Sequence, residues 1–566
     1  MTVGLLAAAP LLPALAQTHE HMDMAMPMPA KPKPQPKPAK ARPAVPKAAP
    51  ALKKAAPATA RPAPRPTPVA PAAADTSHHA GHEHSMEGMD MPTTSPAPAV
   101  PMNHTGHTEG MDMSGGSHNM GGMTMAHDSS MQMGGMSHAL SRNLPMNRNG
   151  SGTSWHPDET PMYMWMQHKG PWMLMYHAGA YARYTSQNFN NDGKRGHANA
   201  IDGPNWGMAM AQRNIGARGL LNLSLMVSLD PLTETRGGYP LLFQTGESYR
   251  GQPLIDKQHP HDLISGLSAS YTHAVNEDMD LSLYVGYPGE PAIGPVAFMH
   301  RISAMPNPDA PLSHHWTDAT HITFGVATLG VRYKQFKLEG SNFTGREPDQ
   351  YRFDFDRPRA DSWAGRLNWN PSRSLALQVS RAFIKSPEDL HPDDNVTRTT
   401  ASVLHSRTWG ERRYLASALV WGLNEAHGGK EHAVLAETNL TLGRPTFYGR
   451  YEFVQKDSEE LNFYATAAYG VPLDEVFNIH AITLGTSYRL ATLGGARGPE
   501  LSLGGQLTGY FIPRNLQYDR IGDFGTLGPG YGKLPLSASV YLRLTAPWMS
   551  MKGMGPKAGS MGGMKM

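Results

Sequence analysis

Cysteine is absent from all 566 residues. That absence excludes disulfides, thiolate zinc sites, iron–sulfur clusters and cysteine nucleophiles together. Charge is scarce as well: Asp, Glu, Lys and Arg make up 17% of the chain, against roughly a quarter in ordinary soluble domains. The formal net charge of +3 is too small to point to nucleic acid. Beyond the N-terminus no segment reaches the ~18 consecutive apolar residues of a membrane helix, so strands must carry the chain if it enters a bilayer. The signatures G-x-S-x-G, H-E-x-x-H and the Walker loop are missing, and the acids are scattered over turn-rich stretches. An enzyme is not expected.

What is present is unevenly distributed. Residues 1–16 read as a signal peptide, with an apolar run from Val3 and an A-x-A pattern at Ala14-Leu15-Ala16. The stretch before that run carries no Lys or Arg. Residues 17–77 form a linker: a short Met/His cluster, then a Pro/Ala tract from Lys31 to Pro71 with ten basic residues and no acid. Such a tract cannot bury a core and favours extended polyproline chain at about 3.1 Å per residue. Residues 78–160 are read as a disordered metal-binding segment. His78 to His138 holds twelve Met and nine His with almost no large aliphatic residue and no strand or helix period.

From about Trp172 the pattern changes to alternation. Leu221–Leu229, Asp280–Tyr287 and Leu536–Leu544 each put apolar residues on one face and polar residues on the other. Sixteen such segments of about ten residues follow one another, a length that suits a tilted strand crossing a bilayer. The connections alternate long and short. Residues 187–205, 230–260 and 289–320 are long, whereas Val275 to Met279, Lys334 and Gly443-Arg444 are short. This spacing predicts an all-β chain: an antiparallel transmembrane β-barrel of about 16 strands (14–18) over 161–546, with both ends on the short-turn, periplasmic side. A Met-rich tail follows at 547–566, and no globular plug is expected ahead of the strands. In Trp172–Tyr184 the apolar even positions belong to lipid. The odd positions Met173, Met175 and His177 then belong to the lumen.

Methionine is the chemistry-bearing residue, 35 of them, many spaced M-x-M. The thioether is soft, neutral and never has to lose a proton, so closely spaced methionines suit Cu(I) and, by the same softness, Ag(I). Interleaved imidazoles extend the range to Cu(II), Ni(II) and Zn(II). The candidate ligands in the extension are Met22, Met24, Met26, Met28, His78, His79, His82, His84, Met86, Met89 and Met91. They continue with His104, His107, Met111, Met113, His118, Met120, Met123, Met125, His127, Met131, Met133, Met136 and His138. A second group, His259, His261, His314, His315 and His321, falls on two neighbouring long loops, which can fold into the pore, and is read as a metal site at the external mouth or constriction. Met173, Met175 and His177 would carry soft ligands from the extension into the pore.

Met22-Asp-Met24, Met89-Asp-Met91 and Met111-Asp-Met113, with histidines around them and a barrel behind, resemble the outer-membrane copper-resistance B proteins. The resemblance covers the extension and the architecture, not the barrel strand by strand. It implies a role in copper tolerance, with copper as the bound metal and copper or silver ions, outer-membrane lipid and periplasmic copper proteins as partners. No organic cofactor is expected. Two other functions compete: a general or solute-specific porin with ancillary metal-binding arms, and a soluble periplasmic metallochaperone.

Overall fold

The computed structural model describes residues 140–549, apart from 236, 427–428, 463–474, 519 and 522–526. The expected signal, the linker, every candidate ligand from Met22 to His138 and the tail from 550 onward lie outside the described residues.

Sixteen antiparallel strands form the wall. They are β1 Trp172–Gln187, β2 Asn205–Ile215, β3 Gly219–Val227, β4 Ile264–Ala274, β5 Met279–Gly286, β6 Val326–Tyr333, β7 Phe336–Phe343 and β8 Ser362–Ser372, continuing with β9 Leu375–Lys385, β10 Asn395–Gly410, β11 Arg413–Ala426, β12 Gly429–Leu442, β13 Pro445–Asp457, β14 Val476–Thr492, β15 Glu500–Phe511 and β16 Leu536–Thr545. Each pairs with the next. The last closes on the first, with Thr545 opposite Gly179 and Ala538 opposite Ser186. Closure leaves no free edge in the wall.

The alternation along each strand decides which way it faces. In β6 and β7 exposed and buried positions alternate without a break. The exposed ones are mostly apolar, among them Leu329, Tyr333, Phe336 and Leu338, with Asn342 the polar member. The buried ones are mostly polar, among them Thr328, Arg332, Lys337, Glu339 and Ser341, with Val326 and Phe343 at the ends of the pair. A water-soluble sandwich buries the opposite set. Outside, Phe336 stacks on Trp369 with centroids 5.4 Å apart. In β1 the lumen receives Met173 and Met175, while Tyr176 and Tyr184 point outward.

The lumen is filled. Residues 140–160, expected to be part of the disordered segment 78–160, are instead ordered inside the barrel, and with 161–164, expected in the barrel itself, they plug the space ahead of the wall. Leu144, Met146, Trp155 and Met162 are buried. The reason is polar pairing at long range. Arg366 Nη2 donates to Thr153 Oγ1 at 2.8 Å, Lys337 Nζ to the Thr153 carbonyl, and Asn370 Nδ2 to the His156 carbonyl at 2.8 Å. Ser151 Oγ donates to Glu290 at 3.0 Å. The expectation of no plug is therefore corrected. The tail also begins in order: Trp548–Met549 pairs with Met162–Tyr163.

The long loop 287–325 folds inward beside this segment and is buried over most of its length. Backbone groups that a strand would have paired find the inner wall instead. Gly294 N donates to Ser380 Oγ at 2.9 Å, and Asn439 Nδ2 donates to the Ile302 carbonyl at 2.8 Å. Arg301 is the anchor. Its Nε lies 2.6 Å from Glu437 on β12, and its Nη1 lies 2.9 Å from the Val296 carbonyl and 3.3 Å from Asp318. Trp316 packs so closely on the wall that a Cβ at Gly422 would stand 2.4 Å from its carbonyl oxygen.

Arg301→Ala leaves Asp318 buried without its arginine and Glu437 with Arg450 alone, a loss of about 3–5 kcal/mol. The wall pairing is untouched, so the barrel should still fold. The inward loop should become open to limited proteolysis between 287 and 325, and conductance in planar bilayers should rise. An unchanged conductance with a protected loop would remove Arg301 as the anchor.

Candidate metal centre

Two loops bring the five histidines together. One links β3 to β4 and ends in Gln258-His259-Pro260-His261-Asp262. Proline there has no N–H to give to a ladder, so the segment does not continue as a strand. The other is the inward loop, where His314 opens the short helix His314–Thr317. Of the two expected locations, mouth or constriction, the histidines lie inside the lumen, because the second loop follows its polar partners inward.

Four of the five hold Nδ1 against an acid or carbonyl and leave Nε2 buried without a partner: His315, against Glu347 at 3.3 Å, and three with shorter contacts. His261 Nδ1 is 2.7 Å from Asp230 Oδ2, in the turn directly after β3. His314 Nδ1 is 2.7 Å from Asp318 Oδ1, one helical turn on. His321 Nδ1 is 2.8 Å from the Asp318 carbonyl. Carboxylates and carbonyls only accept, so each Nδ1 carries the hydrogen and each Nε2 keeps its lone pair. The Nε2 atoms of His261, His314 and His321 are all buried and have no hydrogen-bond partner. Buried polar atoms are normally paired. An imidazole with Nδ1 held by an acid or carbonyl and Nε2 free is the arrangement of a metal ligand.

The rings are in contact. His314 and His321 have centroids 5.1 Å apart, and His261 and His321 5.5 Å. Phe298 covers the cluster, 5.3 Å from His314. The ligand atoms that already lie within 4.8 Å of one another belong to acidic groups, Asp349 with Asp354 and Asp356, and Glu431 with Asp457 and Glu460. Among the described residues, the three histidines do not form such a group.

Electrostatics favour neutral imidazoles. Burial holds His314 and His321 below the ordinary histidine range. Burial also opposes the charge of Asp318, but His314 and then Arg301 outweigh it and hold this carboxyl below its usual range. Asp318 therefore stays anionic and fixes two ligands at once.

His259 and His315 flank the centre. His259 Nε2 lies 3.0 Å from Glu247, and His315 Nδ1 lies 3.3 Å from Glu347. Their rings are 5.8 Å apart. Gly246, at φ 122°, is required beside them, since a Cβ would lie 2.3 Å from the His315 ring.

The expected soft ligands of β1 lie elsewhere in the lumen. Met173 and Met175 are buried with Met146, Met162 and Met210, and Met164, Met166, Met208 and Met549 pack against them. His177 sits above them, 6.1 Å from His300. Inspection of the amino-acid sequence alone did not single out His156, Met208, Met210, Asp230, Phe298 or Asp318 as site residues. Met208-Ala-Met210 repeats the M-x-M spacing and Asp318 stands four after His314, so both carried a signal. Asp230 carried none, being 31 residues from its partner.

No family profile matches this chain, and no curated protein does. Solved structures similar to it are barrels. They include OmpF of Salmonella typhi in complex with daunomycin (10% identity, TM-score 0.41, covering 67% of this chain and 100% of that one). An anion-selective porin from Comamonas acidovorans follows (11%, 0.37, 66% and 98%). The outer membrane channel DcaP of Acinetobacter baumannii is a third (8%, 0.35, 67% and 99%).

Asp318→Ala removes the side-chain acceptor that fixes the His314 tautomer. Affinity for Zn(II) or Cu(II) at the histidine centre should fall about 10–100-fold, measured by competition with a chromophoric chelator. An affinity equal to wild type would show that Asp318 orients no ligand.

Proposed function

We propose that the chain is an outer-membrane barrel that holds transition-metal ions, copper first, inside its lumen and along its Met/His-rich extension, contributing to copper tolerance. Silver shares the soft sites. The observation that carries the reading is the set of three buried imidazoles whose Nδ1 atoms are held and whose Nε2 atoms are left without a partner. A burden of unpaired buried nitrogens is costly unless something occupies them.

Location in the outer membrane is supported by the wall. An apolar outer face with aromatic pairs, a polar inner face and closure suit a bilayer. A soluble metallochaperone would not expose Leu329, Leu338 and Leu484 at 68%, 63% and 67%. An open general porin fits less well than a metal-handling barrel, because residues 140–164 and 287–325 occupy the lumen.

Replacing His261, His314 and His321 together by Ala should abolish tight Cu(II) and Zn(II) binding by the barrel, read by equilibrium dialysis. Deleting residues 17–138 should lower copper retention by whole cells. Unchanged copper tolerance and retention in a strain carrying both changes would sink the proposal.

Proton competition separates the two classes of histidine. An imidazole held below its ordinary pKa competes less with protons as pH falls. His314 and His321 are so held, so Zn(II) at the centre should persist from about pH 7 to about pH 5.5. Solvated histidines titrate near 6.5, so Zn(II) on the extension should be lost over that interval. Dialysis of full-length protein from about pH 7 to below about 5.5 should show two steps, the lower one removed by the triple substitution.

A further inference from the structure

A cavity of about 150 Å³ runs beside the histidine centre. Its lining includes Met146, Met162, Met175, Met208, Met210 and His177, and it extends to Asp230 and His261. The cavity therefore adjoins both ligand groups, which the amino-acid sequence suggested were separate features at opposite rims.

The ligand layout follows from strand register. Met175 on β1 lies directly opposite Met210 on β2, and His177 lies opposite Met208. Direct cross-strand neighbours have Cβ atoms about 4.5–5.5 Å apart, so thioethers and imidazole converge on one patch of inner wall. Met146 and Met162 face it from the inserted segment and are buried. Methionine often fills gaps in cores, but here the thioethers border a space that is not filled. His177 Nε2 is buried there without a hydrogen-bond partner.

The charge of the walls selects the ion. Asp230 is the one carboxylate lining the cavity, and it already accepts from His261; no Lys or Arg lines it. A dication loses about four times the Born hydration of a monocation of equal radius, and neutral thioethers cannot offset that. A soft monovalent ion loses less and prefers sulfur. His156 and His300 also line the space.

We propose that this cavity is a second metal site, taking a soft monovalent ion, Cu(I) or Ag(I), between the thioethers of Met175, Met208 and Met210 and the imidazole of His177, with Met146 and Met162 closing it. It rests on the metal-handling reading for the supply of the ion, and its selectivity comes from the cavity itself.

Silver is the probe, because it is redox-inert and scatters anomalously. Crystals of the full-length barrel soaked in silver nitrate should show an anomalous peak bonded to these sulfurs. Met175→Leu, Met208→Leu and Met210→Leu together conserve volume. That variant should lose the peak and about one silver per chain in solution, while Zn(II) at the histidine centre is retained. Absence of silver from the wild-type cavity, or its persistence in the Leu variant, overturns the proposal. The wild-type map decides the matter even where the variant does not fold. Loss of Zn(II) binding by wild type with the silver peak present would instead sink the histidine centre alone.

Discussion

Closing sixteen strands around a polar interior buries charges that the wall pairs only in part, Glu339 with Lys337 and Arg366 and Glu437 with Arg450, and the rest of the structure follows from supplying the partners that remain. Arg183, Lys337, Glu339, Arg366 and Glu437 all point into the lumen. Each would carry a large desolvation penalty if left alone. The inserted segment and the inward loop meet that need with side chains and with backbone carbonyls that belong to no ladder. Thr153 serves both Arg366 and Lys337, while Arg301 joins loop to wall through Glu437. A filled lumen is thus the consequence of a charged inner face.

The same constraint shapes the candidate chemistry. Once the lumen is filled, imidazoles carried inward by the loop lose water and stay neutral. Their Nδ1 atoms take the nearest acids or carbonyls. Their Nε2 atoms, already desolvated, have nothing to bond but each other or an ion. The thioethers lie in a different electrical setting, with no charged group beside them except Asp230. Imidazoles backed by carboxylates and thioethers in neutral surroundings suit ions of different charge, and a single cavity adjoins both.

Much of the wall was legible because period-two alternation is a local property. A residue two places along a strand returns to the same face whatever the rest of the chain does. Val326–Tyr333 and Phe336–Phe343, with a two-residue turn between, could be placed from their own letters, and so could the lumen-facing register of Met173, Met175 and His177. The inserted segment could not. Residues 140–164 are rich in Ser, Asn, Gly and Met, like the tract before them, and no period marks them. Their order comes from Glu290, Lys337, Arg366 and Asn370, more than a hundred residues away. An inward fold of loop 287–325 was open to expectation from its length, but its partners on the inner wall were hidden for the same reason.

The amino-acid sequence by itself determined the barrel, its strand number, which face of each strand is apolar, and a supply of soft and imidazole ligands. These are set by short-range periodicity and by the chemistry of single side chains. Tertiary structure alone decided which of those ligands meet. It brought His261 to His321, gave each imidazole its acid or carbonyl, and set Met175 beside Met210 across a shared cavity. The reason is that contact between loops depends on which buried charges must be paired, and that requirement arises only after the barrel has closed.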